Sequence, residues 1–170
     1  MKGWNNEKKI LIMIFIFSIS LNTTLRANAN TYDESKNVLI VSSTIEYCDD
    51  DGYIISTIGE TNSNITLLSS TYTKTGYKDV IKYNSKDEIL WVYTLSATYN
   101  VNSGVSSNCI SSSYSTTINN NDWKFSDGNP YFNSNTAYGE GLFKNKFLFV
   151  TTQKITIDIS LTCDAYGNLS

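Results

Sequence analysis

The chain is 170 residues long, with 13 lysine or arginine and 16 aspartate or glutamate residues, a formal net charge of −3, 12 tyrosines and no histidine. Without histidine, Ser-His-Asp and Cys-His catalysis in standard form is excluded, as are histidine-ligated zinc and 2-His-1-carboxylate iron. Arg26 is the sole arginine and no lysine cluster replaces it, so nucleic acid is disfavoured as a partner.

Lys8 and Lys9 precede an apolar run from Ile10 to Leu21, and a small-residue Ala27-Asn28-Ala29 pattern follows. That run is shorter than the roughly 20 apolar residues of a spanning helix, and the layout is that of a secretory leader. Residues 1–29 therefore read as a signal peptide cleaved after Ala29, which predicts a secreted, extracellular protein with no stable membrane insertion after cleavage. Removing 29 of 170 residues leaves 141, with nine basic and 15 acidic side chains and a net charge of −6. An anionic membrane surface is disfavoured for the same reason as nucleic acid.

Residues 30–37 are polar without periodicity and read as a flexible lead-in. Val38–Val41 reads as a first strand. Thr44–Cys48 and Tyr53–Ile58 flank Asp49-Asp50-Asp51-Gly52, a hairpin signal ending in a glycine free to take φ > 0. Ile65–Leu68 opens a threonine- and tyrosine-rich region read as strand. Tyr77, Asp79, Ile81 and Tyr83 alternate with Lys78, Val80 and Lys82 before a turn at Asn84-Ser85-Lys86-Asp87. Then Ile89, Trp91, Tyr93, Leu95, Ala97, Tyr99 and Val101 fall on every second residue, a period of two that predicts one long strand with a buried face.

After Asn102-Ser103-Gly104, Val105–Ile118 reads as a strand with Ile110, Tyr114 and Ile118 on one parity. A turn at Asn119–Asp122 leads to Trp123-Lys124-Phe125. Ser126–Thr136, which holds Pro130 within Asp127-Gly128-Asn129-Pro130, reads as loop. Ala137–Phe143 is a strand in which Gly139 and Gly141 on one parity admit a bulky ring or another backbone. Phe149, Ile155, Ile157, Ile159 and Leu161 then share one parity as far as Cys163. Strand-length segments separated by turn signals predict an all-β fold over residues 38–170: a single antiparallel β-sandwich of Ig-like architecture, with a small β-barrel as the alternative.

The chain has three cysteines, Cys48, Cys109 and Cys163. In an exported protein a disulfide is expected, and Cys109 with Cys163 is the favoured pair because both sit in predicted strands. Acidic neighbours of Cys48 suppress its thiolate and argue against a nucleophile. Asp49, Asp50 and Asp51 are the candidates for a hard cation, but they lack the spacing of a known calcium loop and a charged hairpin tip predicts the same residues. The expectation is no metal, no cofactor and no enzyme, since no carboxylate pair stands out. Aromatic residues in or beside loops, Tyr72, Tyr77, Trp123, Tyr131 and Phe132, are the candidate binding residues: amid abundant Ser, Thr and Asn they match the composition of adaptable recognition surfaces.

Trp123-Lys124, Ala137-Tyr138-Gly139, Val150-Thr151-Thr152-Gln153, Leu161-Thr162-Cys163 and Gly167-Asn168-Leu169-Ser170, with Tyr72-Thr73-Lys74-Thr75 upstream, give a pattern. It resembles an uncharacterised family, a domain of unknown function, of small secreted proteins from low-GC Gram-positive bacteria. The resemblance implies a signal peptide followed by a compact β domain and assigns no catalytic or binding residue. The functional expectation is a secreted, non-enzymatic module that binds cell-envelope glycan or an extracellular protein. The alternatives are a secreted effector or bacteriocin-like antagonist, and a structural matrix or assembly subunit.

Overall fold

The computed structural model describes residues 26–27, 31–33, 38–49, 51–61, 70–148 and 150–170. Its strands are β1 (Arg26–Ala27), β2 (Thr31–Asp33), β3 (Val38–Asp49), β4 (Gly52–Thr61), β5 (Thr71–Tyr83), β6 (Ile89–Asn102), β7 (Ser106–Ile118), β8 (Trp123–Asn133), β9 (Thr136–Phe147) and β10 (Val150–Thr162). Most of the leader, most of the lead-in and the strand start expected at Ile65–Leu68 lie outside the described residues. β1 belongs to the expected leader, and its ladder to β3 consists of Arg26 with Thr44 and Ala27 with Ser43. No helix among the described residues is long and apolar enough to cross a membrane.

The strands form two antiparallel sheets, one ordered β1-β3-β4-β5-β6-β7 with β2 also on β3, the other ordered β10-β9-β8. From β3 onward each ladder joins strands consecutive in sequence, so each sheet is a run of hairpins. The sheets stack as a sandwich and do not close into a barrel, which settles the fold class in favour of the first expectation.

β6 organises the core as its alternation predicts. Trp91, Tyr93, Leu95, Tyr99 and Val101 are fully buried and Ala97 nearly so. Ile89 is the exception at 38% exposed, because the β5–β6 ladder slips between Lys82 and Tyr83 and leaves it at the hairpin end. At ~1.5–3 kcal/mol per large apolar group, this one face contributes on the order of 10 kcal/mol, as an upper bound. The facing sheet answers with rings: Trp91 stacks on Phe143 at 3.9 Å and 9° and meets Trp123 edge-on at 5.9 Å. Gly139 and Gly141 lie under the Tyr93 ring, and Phe125 also covers Gly141; a Cβ at either position would collide with those rings, so the two glycines let the sheets close.

Three details depart from the sequence reading. β3 runs unbroken through both the expected first strand and the hairpin arm, with register shifts at Ile40/Ser42 and Ile45/Tyr47. The stretch read as a loop around Pro130 is the body of β8; it is the outer strand of its sheet, where a proline and a bulge are tolerated. Ile110 does not share a face with Tyr114. The ladder shifts between Thr98/Ser111 and Tyr99/Cys109, which turns Ile110 outward to 48% exposure while Tyr114 stacks on Tyr93 at 5.7 Å and 3°.

The end where β10 finishes is sealed by the residues that follow it. Asp164 Oδ1 accepts from the backbone N–H groups of Tyr166 and Asn168, each at 2.8 Å, and Gly167 takes φ +85° to complete the turn. Ser170 then pairs with Thr162 through both backbone bonds, at 2.9 and 3.0 Å. This places Leu169, 6% exposed, over Gly76.

Candidate functional site

Alternation along β8 would put Trp123, Phe125 and Tyr131 on one face, all being odd-numbered. The bulge between Ser126 and Asn129 inserts an extra residue, with Asp127 at φ 60°, and the parity flips. Trp123 and Phe125 therefore point into the core while Tyr131 emerges on the outer face of the small sheet. There it pairs with Tyr138 on β9, the rings stacked at 4.9 Å and 12°, and Tyr131 stays 42% exposed. Two residues along β9, on the same face, Glu140 lies directly opposite Asp158 on β10. Asn129 Nδ2 donates to Glu140 Oε2 at 3.4 Å.

Glu140 and Asp158, with Asp127, Leu142 and Thr156 among others, line a depression of about 270 Å³. Like charges directly opposite across a ladder are destabilising, so the Glu140–Asp158 pair is poorly explained as a device for stability. Loss of hydration, and next the Glu140 carboxylate, raise the Tyr131 phenol above its usual range; it stays a neutral donor at ordinary pH. Flat rings beside carboxylates and a carboxamide suit a ligand with an apolar ring face and a rim of hydroxyls.

The other expected binding residues do not gather here. Phe132 occupies the opposite side of β8, opposite Ala137, and is 46% exposed. Tyr72 is committed to the sealed end, its hydroxyl donating to Tyr166 O at 3.1 Å. Tyr77 lies across Gly59 on the larger sheet. Trp123, expected as an exposed loop ring, is 2% exposed: the Asn120 carbonyl accepts its backbone N–H at 3.1 Å and Trp91 covers it. It contributes instead to the wall of a second, larger cavity.

That cavity, about 530 Å³, opens at the end of the sandwich opposite the tail and is lined by Asp51, Lys82, Asn84, Leu90, Asn120, Trp123, Asn145, Thr152 and Gln153. The sequence reading set Lys78, Val80 and Lys82 as the alternate set in β5 without assigning them to the core. Hairpin register does so: Lys82 is the ladder partner of Trp91 and Ile54, hence on the buried face.

The three cysteines stand as free thiols, Cys48 exposed and the other two buried. The Cys109–Cys163 bridge is thus not formed: Cys109 Sγ donates to Ser111 O at 3.3 Å and Cys163 Sγ to Asp164 O at 3.6 Å. Burial raises both thiols above their ordinary range, so neither presents a ready thiolate. The acidic tip is a tight hairpin in which Asp49 pairs with Gly52. Asp50 lies outside the described residues, and among those described no three His, Cys, Asp or Glu residues gather to hold a metal ion.

No protein-family model matches this chain, and no curated protein or solved structure matches it either. The site geometry therefore carries the functional reading.

Proposed function

We propose that the protein is a secreted, non-enzymatic β-sandwich module that binds cell-envelope glycan through the outer face of its small sheet. The observation that carries this reading is the stacked Tyr131–Tyr138 pair, delivered to the surface by a bulge and flanked by Glu140, Asp158 and Asn129. Rings supply contact area against a pyranose face with little side-chain entropy to lose. Carboxylates and a carboxamide accept and donate to hydroxyls, and their preorganisation on rigid strands lowers the ordering cost of binding. The leader in the sequence and the acidic mature chain fit an extracellular setting in which wall polysaccharide is abundant.

The test is co-sedimentation of the protein with isolated Gram-positive cell walls. Saturable binding is expected, weakened roughly 5- to 30-fold by Tyr131→Ala, the range for a tyrosine anchor, with the circular dichroism of the fold unchanged because that ring lies outside the core. Unaltered affinity in the variant sinks the assignment of this face. A protein confined to the medium, with no wall affinity, points to a diffusible effector.

A further inference from the structure

We infer that the β9–β10 hairpin is a membrane-docking device, whose apolar tip and neighbouring lysines fit the surface of an anionic phospholipid bilayer. The sequence holds no run of lysines, but strand register makes one across the outer face of the small sheet. Lys144 on β9 lies directly opposite Lys124 on β8 and directly opposite Lys154 on β10, a row of three spanning roughly 10 Å at ~4.8 Å per strand. Lys146 follows two residues further along β9, on the same face. Four of the nine basic side chains that follow the leader thus gather at one corner of an acidic protein. That corner reverses the expectation, drawn from the absence of a lysine cluster in the sequence, that an anionic membrane surface is disfavoured.

Like charges directly opposite across a ladder are destabilising, and this rung contains two such pairs. Lys124, Lys146 and Lys154 are exposed and Lys144 is half-buried, and none of the four forms an ion pair or a side-chain hydrogen bond among the described residues. Asp122, the acid of the adjoining β7–β8 turn, whose carbonyl accepts the Lys146 N–H at 2.8 Å, leaves the group with a positive excess. Internal packing does not explain such a row, whereas an anionic surface neutralises it.

The tip beyond the lysines is apolar. β9 ends at Phe147 and β10 begins at Val150, a two-residue connection of the kind that ordinarily takes Asn, Asp or Gly. Here Leu148 takes φ 46°, a conformation costly for a bulky side chain. It is 75% exposed, the most of any large apolar side chain among the described residues, and Val150 is 64% exposed. Neither turn chemistry nor the core accounts for them. Lys146 stands roughly 7 Å behind Leu148, and the three-lysine rung about 13 Å behind it. With the tip in the interfacial layer, ~5–7 Å deep on each side of a bilayer, Lys146 is level with the phosphates and the rung reaches toward them by extending along the hairpin. Asp51, Asp87 and Glu88 lie on turns of the larger sheet, so docking tilts the molecule onto the outer face of the small sheet and keeps them clear of the lipid. A soluble polyanion would engage the rung but has no use for Leu148; the exposed tip selects the bilayer. This surface does not depend on the tyrosine pair, since Tyr138 lies six residues before Lys144, roughly 20 Å along β9.

The experiment floats the protein, recovered from the medium of expressing cells and shown by its mass to have lost the apolar leader, with vesicles of phosphatidylglycerol and phosphatidylcholine, and in a separate arm with vesicles of phosphatidylcholine alone. Binding to the anionic vesicles is expected to exceed that to the neutral ones at least roughly 30-fold, given about fivefold per lysine near an anionic surface, and to fall as salt rises. Lys144→Gln combined with Lys154→Gln should weaken it roughly 25-fold with the circular dichroism of the fold unchanged, and Leu148→Ser should weaken it roughly 10-fold. Tyr131→Ala should leave vesicle binding intact even if wall binding is lost. Failure to bind anionic vesicles, equal binding to neutral ones, or full binding by the lysine double variant would overturn the inference. Unchanged vesicle binding by Leu148→Ser would overturn it equally, because the rung is then a site for soluble polyanions and the tip is no anchor.

Discussion

At the end where β5 begins and β10 finishes, Leu161 and Cys163 are fully buried and Leu169 nearly so. The Tyr99 hydroxyl donates to Leu161 O at 2.5 Å, and the turn at Ser134 and Asn135 accepts the backbone N–H groups of Cys109 and Cys163 at 2.8 and 3.1 Å. At the other end, the same two sheets enclose Lys82, four turn or strand-end carboxamides and, behind them, an indole N–H. Both ends combine buried apolar groups with hydrogen bonds, but among the described residues only the open end leaves a cavity of about 530 Å³ between them. One end of this molecule is closed by its tail, and the other keeps a hollow with a largely polar lining.

The sharpest way to break that contrast is to mutate both ends and compare unfolding free energies in urea. Leu161→Ala at the sealed end is expected to remove about 2–5 kcal/mol. Gln153→Ala at the open end should change stability by less than about 0.5 kcal/mol, because a side chain at the start of β10 is trimmed at the cavity wall without opening the core. A comparable loss in both variants would mean that the open end is as much a structural core as the sealed one.

A smaller effect comes from the middle of β6. Burial first, then the neighbouring Tyr114 and Glu140, push the Tyr93 phenol up from 10.0 to about 12, while its hydroxyl donates to Glu140 O at 3.2 Å. A raised folded-state pKa contributes stability that is complete below the unfolded value and lost as pH rises through the folded one. Unfolding should therefore become easier between pH 10 and about 12, and Tyr93→Phe should flatten that part of the profile, as melting temperature against pH would show. The smallest effect is expected at the tail. Hydrogen bonds from Asn168 and then from the Tyr166 and Gly167 backbone hold the Asp164 carboxyl below its ordinary value of 3.8. Its contribution is present above that value and fades as pH falls through the lower folded one, so Asp164→Asn should lose the acid-side slope of the melting profile while leaving the open end unaffected.

The β6 alternation, the turns at Asn84–Asp87 and Asn119–Asp122 and the paired glycines of β9 were legible because each rests on a local rule: period two, turn chemistry, or a missing Cβ. The bulges were not. Extra residues near Ile110 and Asp127 invert the parity beyond them, and no local signal distinguishes an outward Tyr131 from an inward one until the ladder partners, Tyr138 and Glu140, are known. β8 was hidden for a related reason: Gly128 and Pro130 are loop signals that only an edge strand overrides. Lys82 could have been found by pairing the two arms of the β5–β6 hairpin on paper, since the arm that faces Trp91 must be buried. The cavity had no such signature. Its carboxamides come from separate strand ends and turns, and only the stacking of the sheets brings them together.

Because every ladder from β3 onward joins neighbours in sequence, the chain can pair each strand with the one just before it as it emerges from the ribosome or the export channel. That favours quick, local assembly. The larger sheet is complete before β8 has been made, however, so the Trp91–Val101 face waits uncovered until the last three strands arrive. During that interval its rings are a ready surface for aggregation, and the productive outcome depends on how soon the second meander docks.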